Sequence, residues 1–447
     1  MILSEIYRTI KKVVDNLEIV DTHEHLTSET DRLADDPDPL SVFLKLYTAS
    51  DLVSSGMHPD KLRYIRDTRV PLADRWKVFA PHWENVRHTG YGRVLEIAAK
   101  QIYQVDGITE KTYLELSRRM KQANTPGLYK RILRDKARIC KCILDPLDDL
   151  TRPIARLDVD TELFVPVQQF REFMMVNNIL DLRRLSAKLG VPIHSLSDLV
   201  AAMEMEFERV APAICGIKTS IAYYRTIRFE NVEQGEAERA FNRIFKEQPL
   251  DWEPNSIIGS VLLYGPSMEE AKPLQDYMMH RIIRLAAKHH LPIQVHTGLQ
   301  DGFGNILSNA DPLNLTNLFV QYPEVNFAIF HGGYPYTGEV AALAKNFRNV
   351  YVDMCWLHII SPTRAREALA EYLDTVPSNK ILAFGGDYTF VEGVYGHSVI
   401  ARENVARSLS DLVDQGALTV EDAQNLARQI LRDNALNLFH LQPNTAK

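Results

Sequence analysis

Eight short apolar runs, separated by longer stretches of helical period, restrict what this sequence can fold into. They are "LEIVD" (17–21), "ARICKCIL" (137–144), "LFVPV" (163–167), "AICGIK" (213–218), "LPIQVH" (291–296), "VNFAIFH" (325–331), "NVYVDM" (349–354) and "KILAFGG" (380–386). Most are bounded by Pro, Gly or Asp and rich in Val, Ile and Phe, as strands buried on both faces must be. The intervening "KPLQDYMMHRIIRLAAKHH" (272–290) and "PTRAREALAEYLDTV" (362–376) carry helical spacing. Strands alternating with helices eight times predict an α/β fold, the (β/α)8 TIM-like barrel. At the C-terminal end, Thr419 is placed to cap a closing helix, with Glu421 and Asp422 in its first turn.

The alternation breaks once. Residues 26–136 lie between the first two runs and read as helical in "DPLSVFLKLYTASDL", "PLADRWKVFAPHWENV" and "YGRVLEIAAKQIYQV". A plain crossover needs far fewer residues. The expectation is therefore a large helical insertion after strand 1, a lid over the mouth where barrel active sites form. A smaller insertion is expected at 228–271. The chain as a whole, 1–447, reads as a single barrel domain with the 26–136 lid inside it.

Composition excludes several function classes. With 45% hydrophobic and 24% charged residues and a net charge of -7, the chain has no global attraction for nucleic acid or an anionic membrane. No apolar run approaches the roughly 18 residues of a membrane span. The N-terminal "MILSEIYRTIKKVVDNL" reads as an amphipathic helix of mixed charge, without the layout of a secretory leader. Cys140, Cys142, Cys215 and Cys355 are expected as buried thiols, and the compartment as the cytoplasm. The expected partner is a small-molecule substrate, with self-association into a homo-oligomer through outer helices.

The chemistry lies at the strand ends. In "EIVDTHEHL", alternation along an extended chain puts Asp21, His23 and His25 on one face, with Glu24 turned the other way toward the helices. An HxH pair is a weak signal alone. However, Lys218 ends its run, His296 and His331 end theirs, and Asp387 follows the last. A barrel brings all these ends to one face, where nitrogen and oxygen donors around an open position can hold a catalytic divalent metal.

In this order, "DTHEHL", "VHTG", "FHGGYPY" and "FGGD" resemble the amidohydrolase superfamily over nearly the whole chain. The stretches "IKTSIAYYR", "PIQVHTGLQDG" and "HGGYPYTGEVAALAKNFRNVYVDMCW" and the long lid look most like the amidohydrolase-like domain of FluG-type proteins, a branch similar to uronate isomerases. That resemblance implies metal ligands at His23, His25, His296 and Asp387. It gives His331 either a second metal or a substrate oxygen to hold, the latter being the expectation. Asp387 would also take the proton of the attacking water. Lys218 is expected as an ammonium that binds or activates substrate, with carboxylation as the alternative. One divalent ion per chain is expected, zinc before manganese, and two if Lys218 is carboxylated. Asp21 would orient His23 or His25 from below. Arg225 (as a carboxylate clamp), Tyr224, Tyr334 and His358 are the candidate substrate contacts. The expected activity is metal-dependent hydrolysis of a C–N or C–O bond in a small, carboxylate-bearing substrate. A decarboxylase or sugar-acid isomerase on the same metal is the first alternative, and a non-catalytic barrel serving regulation or assembly the second.

Overall fold

The computed structural model describes residues 4–146, 159–246 and 267–442. Eight parallel strands follow one another around a barrel in sequence order: β1 (Ile19–Glu24), β2 (Ile139–Leu144), β3 (Phe164–Gln168), β4 (Gly216–Thr219), β5 (Ile293–Val295), β6 (Phe327–Ile329), β7 (Val350–Asp353) and β8 (Ile381–Leu382). Backbone bonds close the ring, with Thr22 N–H donating to the Phe384 carbonyl (3.2 Å) and Asp387 N–H to that of His23 (2.8 Å). Each apolar run supplies one strand. The strands are short because several chains leave extended geometry at once. After β6, Phe330–Gly333 turns as a 3-10 segment with His331 at φ 61°.

Helices cover the barrel's outside. Glu5–Asn16, capped by Ser4, packs against the long helix Val391–Asp414, which also meets Gly90–Gln101 and Pro362–Thr375. The Val391–Asp414 and Gly90–Gln101 helices approach so closely at Gly396 that an added Cβ would strike the Val94 carbonyl. Near the C-terminus Thr419 caps Val420–Arg428 through a reciprocal pair with Asp422.

Seven α-helices lie between β1 and β2, from Glu29–Ala34 to Tyr113–Ala123. They are tied to the barrel by buried polar contacts. Arg32 pairs with Glu392 (3.0 Å), whose carboxylate also accepts from the Tyr103 hydroxyl (2.5 Å). The Tyr47 hydroxyl donates to the Asp387 carbonyl. Of the smaller expected insertion, Gln234–Lys246 is a helix, and the stretch 247–266 lies outside the described residues. Among the described residues, no helix is long and apolar enough to cross a membrane.

Candidate metal centre

Six strand-end side chains converge inside the barrel mouth. His23 Nε2 lies 3.2 Å from His25 Nε2, 3.2 Å from Lys218 Nζ and 3.7 Å from Asp387 Oδ1. His25 Nε2 is 3.1 Å from the same Asp387 oxygen. His331 Nε2 is 3.0 Å from His296 Nδ1 and 3.9 Å from Asp387 Oδ2. Their side chains are almost wholly withdrawn from solvent.

The protons on these rings can be assigned from their outer partners. Carbonyl oxygens only accept, so a ring nitrogen bonded to one carries the hydrogen. His25 Nδ1 donates to the Asp145 carbonyl (2.9 Å), His331 Nδ1 to that of Cys355 (2.9 Å) and His296 Nε2 to that of Leu299 (3.0 Å). The inward nitrogens of His331 and His296 are then bare lone pairs, and that of His25 becomes one when the ring gives up the second proton it shares with Asp387. Two of them face each other at 3.0 Å, and the third faces a carboxylate oxygen at 3.1 Å. Lone pairs aimed at one another need a shared cation, and imidazole nitrogens with a carboxylate are the donor set of a divalent transition metal. His23, His25 and Asp387 lie within 4.8 Å of one another by their ligand atoms, as do His331, Cys355 and Asp387.

The charges agree with that arrangement. Burial alone would raise Asp387, but the His25 hydrogen bond and the surrounding imidazoles hold it well below the usual carboxylate range. Burial likewise lowers His25, yet Asp387 and Asp145 hold it above its ordinary value. Burial pushes His296 far down, and His331 down to about 4.

Three non-glycine residues here have left-handed backbones: His331 (φ 61°), Trp356 (φ 64°) and Asp387 (φ 60°). Each such conformation costs about 1–3 kcal/mol. At Asp387 the neighbours impose it. Gly386 N–H donates to Asp21 Oδ1 (2.9 Å), Tyr388 N–H to Glu24 Oε2 (2.7 Å), and Tyr47 caps the carbonyl. A side chain at Gly386 would strike the Glu24 carboxylate.

These bonds correct two expectations. Asp21 touches neither imidazole ring; it accepts from the backbone N–H of His23 (3.2 Å) and of Gly386, and so positions the Asp387 turn. Glu24 does not face the helices but is fully buried against that turn. Strict alternation fails because the β1–β2 register shifts between Asp21 and Glu24. Burial raises both carboxyls, Asp21 to about 6 and Glu24 well above its usual value, with their mutual contact adding to the latter.

The candidate substrate contacts go elsewhere. Arg225 is spent on Asp276 (2.7 Å) and the Thr226 carbonyl, with its guanidinium over Phe229, and clamps nothing in the mouth. Tyr224 lines a separate cavity with Arg171 and Lys188, because a 3-10 turn at Ile221–Tyr223 destroys strand parity. Its neighbour Tyr223 sits at the site instead, with its ring centroid 4.7 Å from that of His296. His358 points outward, bonded to the Ala383 carbonyl (2.8 Å) and to Asn404 (3.3 Å). Tyr334 contributes its backbone carbonyl to Leu299 N–H (2.7 Å), while its half-buried side chain packs against the core.

Asp145, which follows β2, was not among the sequence candidates. Its Oδ2 lies 3.7 Å from His23 Nε2 and accepts from Gln169 Nε2 (2.7 Å), whose own oxygen accepts from Ser220 (2.9 Å). An aspartate ending "CILD" was the available signal, the same one that marked Asp387. Tyr47 and Trp356 were missed too. Their rings stack at 4.5 Å, and Trp356 meets the edge of His331 at 5.0 Å.

Comparison with known proteins agrees with this geometry. The sequence model of the Amidohydrolase family matches residues 260–441, the segment carrying His296, His331 and Asp387. That match spans less than half of the chain and likens it to the amidohydrolases. Protein fluG of Emericella nidulans is 31% identical over 243 residues, 53% of this chain but 27% of that much longer protein. Three solved structures align along nearly the whole chain. Uronate isomerase from Thermotoga maritima gives a TM-score of 0.79 at 15% identity, covering 98% of this chain and 100% of the other. Glucuronate isomerase from Caulobacter crescentus gives 0.73 at 18%, covering 99% and 95%. A provisionally assigned metal-dependent hydrolase from Lactobacillus casei gives 0.64 at 17%, covering 96% and 97%. At these identities the likeness establishes the fold alone, and leaves the reaction to be argued from the site.

Proposed function

We propose that this chain is a metal-dependent hydrolase of the amidohydrolase superfamily, acting on a C–N or C–O bond of a small, carboxylate-bearing substrate. One observation carries the reading: three imidazoles commit one ring N–H outward to a backbone carbonyl and turn the other nitrogen into the mouth, His25 and His331 toward Asp387 and His296 toward His331. His23, His25, His296 and Asp387 would hold the ion, zinc first by its preference for nitrogen and carboxylate donors. When bound, the ion supplies a nucleophile at neutral pH and a Lewis acid.

The chain's own groups do the rest. Asp387, kept ionised by its neighbours, accepts a proton at the oxygen facing His331. His331 commits its Nδ1–H to the Cys355 carbonyl and burial lowers the ring to about 4, so at neutral pH its Nε2 accepts rather than donates, contrary to a role in polarising a carbonyl. Lys218 is the better donor. Its Nζ lies 4.1 Å above the centre of the Phe330 ring, a face that attracts an ammonium and repels a carbamate. That contact favours a single ion and an uncarboxylated lysine. A screen of small N-acyl and ester-linked acids should find turnover that chelation abolishes and zinc restores. Turnover indifferent to chelation would overturn the reading.

Sugar-acid isomerisation is the second reading. It is favoured by the full-length likeness, insertion included, to uronate isomerases. Carbonyl migration in a uronic acid without loss of mass would select it.

A further inference from the structure

A cavity of about 160 Å³ lies between the inserted helices and the loop after β5. Apolar Leu46, Leu62 and Phe303 wall it, and two opposite charges, Arg66 and Asp301, face it. Its other cations are already spent, Lys45 on Asp35 (3.4 Å) and Arg63 on Asp60.

Arg66 is half-buried and gives one N–H to the Leu44 carbonyl, while its buried Nε has no acceptor. No described carboxylate lies within ion-pair range of it. Asp301 accepts from the Ser50 hydroxyl (3.2 Å), with the Gly302 N–H also favouring its ionised form, and among the described residues no cation forms an ion pair with it. Burial raises its carboxyl to about 6, with Arg66 opposing the shift. Two unlike charges in a half-apolar cavity gain by closing on each other. Here they stand apart, each with a position to fill.

The cavity is one aromatic layer from the metal centre. Asp301 N–H donates to the Tyr223 hydroxyl (2.9 Å), and the Tyr223 ring packs on His296. From the other side, Tyr47 and Ser50 on the inserted helix reach the Asp387 carbonyl and Asp301. A substrate with its reacting bond at the ligands would extend toward Arg66 and Asp301.

We propose that this cavity is a subsite for a zwitterionic α-amino-acid end of the substrate, with the carboxylate on Arg66 and the ammonium on Asp301. The assignment rests on the hydrolase reading and narrows its substrate class to amides or esters that carry a free amino-acid end. A lone anion would meet Asp301 unfavourably, and a lone cation would meet Arg66; only the pair satisfies both.

Binding tests this without turnover. The full metal-loaded chain is titrated calorimetrically with L-alanine, N-acetyl-L-alanine and L-alaninamide. L-Alanine should bind about tenfold tighter than either capped form. Arg66→Gln should erase its advantage over L-alaninamide, and Asp301→Asn its advantage over N-acetyl-L-alanine. Arg66→Lys should recover part of the first, and metal content should stay unchanged in all three variants. Equal binding of the three probes, no saturation in the millimolar range, or L-alanine binding that chelation abolishes and Arg66→Gln leaves intact would overturn the subsite. Failure to find chelator-sensitive turnover while this binding pattern holds would count against the hydrolase reading alone.

Discussion

The Nδ1 proton of His25 is committed to the Asp145 carbonyl, and that bond decides which end of the ring can serve as a ligand. The same logic at His331 and His296 turns scattered histidines into a directed donor set. Sequence alternation found these residues because their strands end where the apolar runs end. It failed where the backbone departs from extended geometry. The register shift in β1 turned Glu24 inward, and the 3-10 turn after β4 exchanged Tyr223 for Tyr224. Arg225 looked like a clamp because its partner Asp276 lies 51 residues away, which spacing cannot show. Arg225→Gln should therefore destabilise the fold by about 1–3 kcal/mol, since the buried Asp276 carboxylate loses one partner and keeps Lys272 and the Glu230 N–H. Urea unfolding measures the loss, and metal content should not change. Lys218→Met should reduce kcat by about 10²–10³-fold, the value of one donor at a developing negative charge, with metal retained. Loss of metal in that variant would instead mark Lys218 as a ligand, as a carboxylated lysine would be.

At the scale of elements, the turn after β8 depends on its neighbours more than on its own two-residue strand. Asp21 and Glu24 hold it from β1, and Tyr47 reaches it from the inserted helices. The insertion thus reaches the candidate metal centre through Tyr47, by its hydroxyl on Asp387 and its ring on Trp356. Tyr47→Phe should weaken metal affinity about 10–100-fold, as the loss of an outer partner does. Competition with a calibrated chelator reads this directly. The C-terminal helix is more self-sufficient. Its Thr419–Asp422 cap was legible in the sequence, and Thr419→Ala should cost about 1 kcal/mol without touching activity.

For the whole molecule, the order of strands and the position of the insertion could be read from the apolar runs, since a barrel needs only that each run be buried. The identity of what fills the mouth could not, because Asp145, Tyr47 and Trp356 reach it from separate loops. Burial also leaves a global signature. It pushes His358 down to about 4 and His397 to about 3, so neither accepts a proton in the folded chain until strongly acid pH. Unfolded histidines protonate near 6.5. Between those values the unfolded state binds more protons, so stability is full above about pH 6.5 and is lost as pH falls through the folded values. The buried carboxyls Asp21 and Asp301, raised to about 6, act in the opposite sense over the same range, so the test is a comparison of variants: between pH 7 and pH 4.5 the urea midpoint of chelator-treated protein should fall less in His397→Asn than in the parent. Parallel profiles for the two would contradict the buried, neutral state of the His397 ring.

In the proposed enzyme His23, His25, His296 and Asp387 hold one divalent ion beside an uncarboxylated Lys218. Anomalous diffraction at the metal edge, collected on crystals of the zinc-loaded protein, tests it most directly. A single peak is expected about 2.0–2.2 Å from the ligating nitrogens and the carboxylate oxygen, with no extra density on the Lys218 amine. Two peaks bridged through Lys218, or no peak within reach of these four side chains, would contradict it.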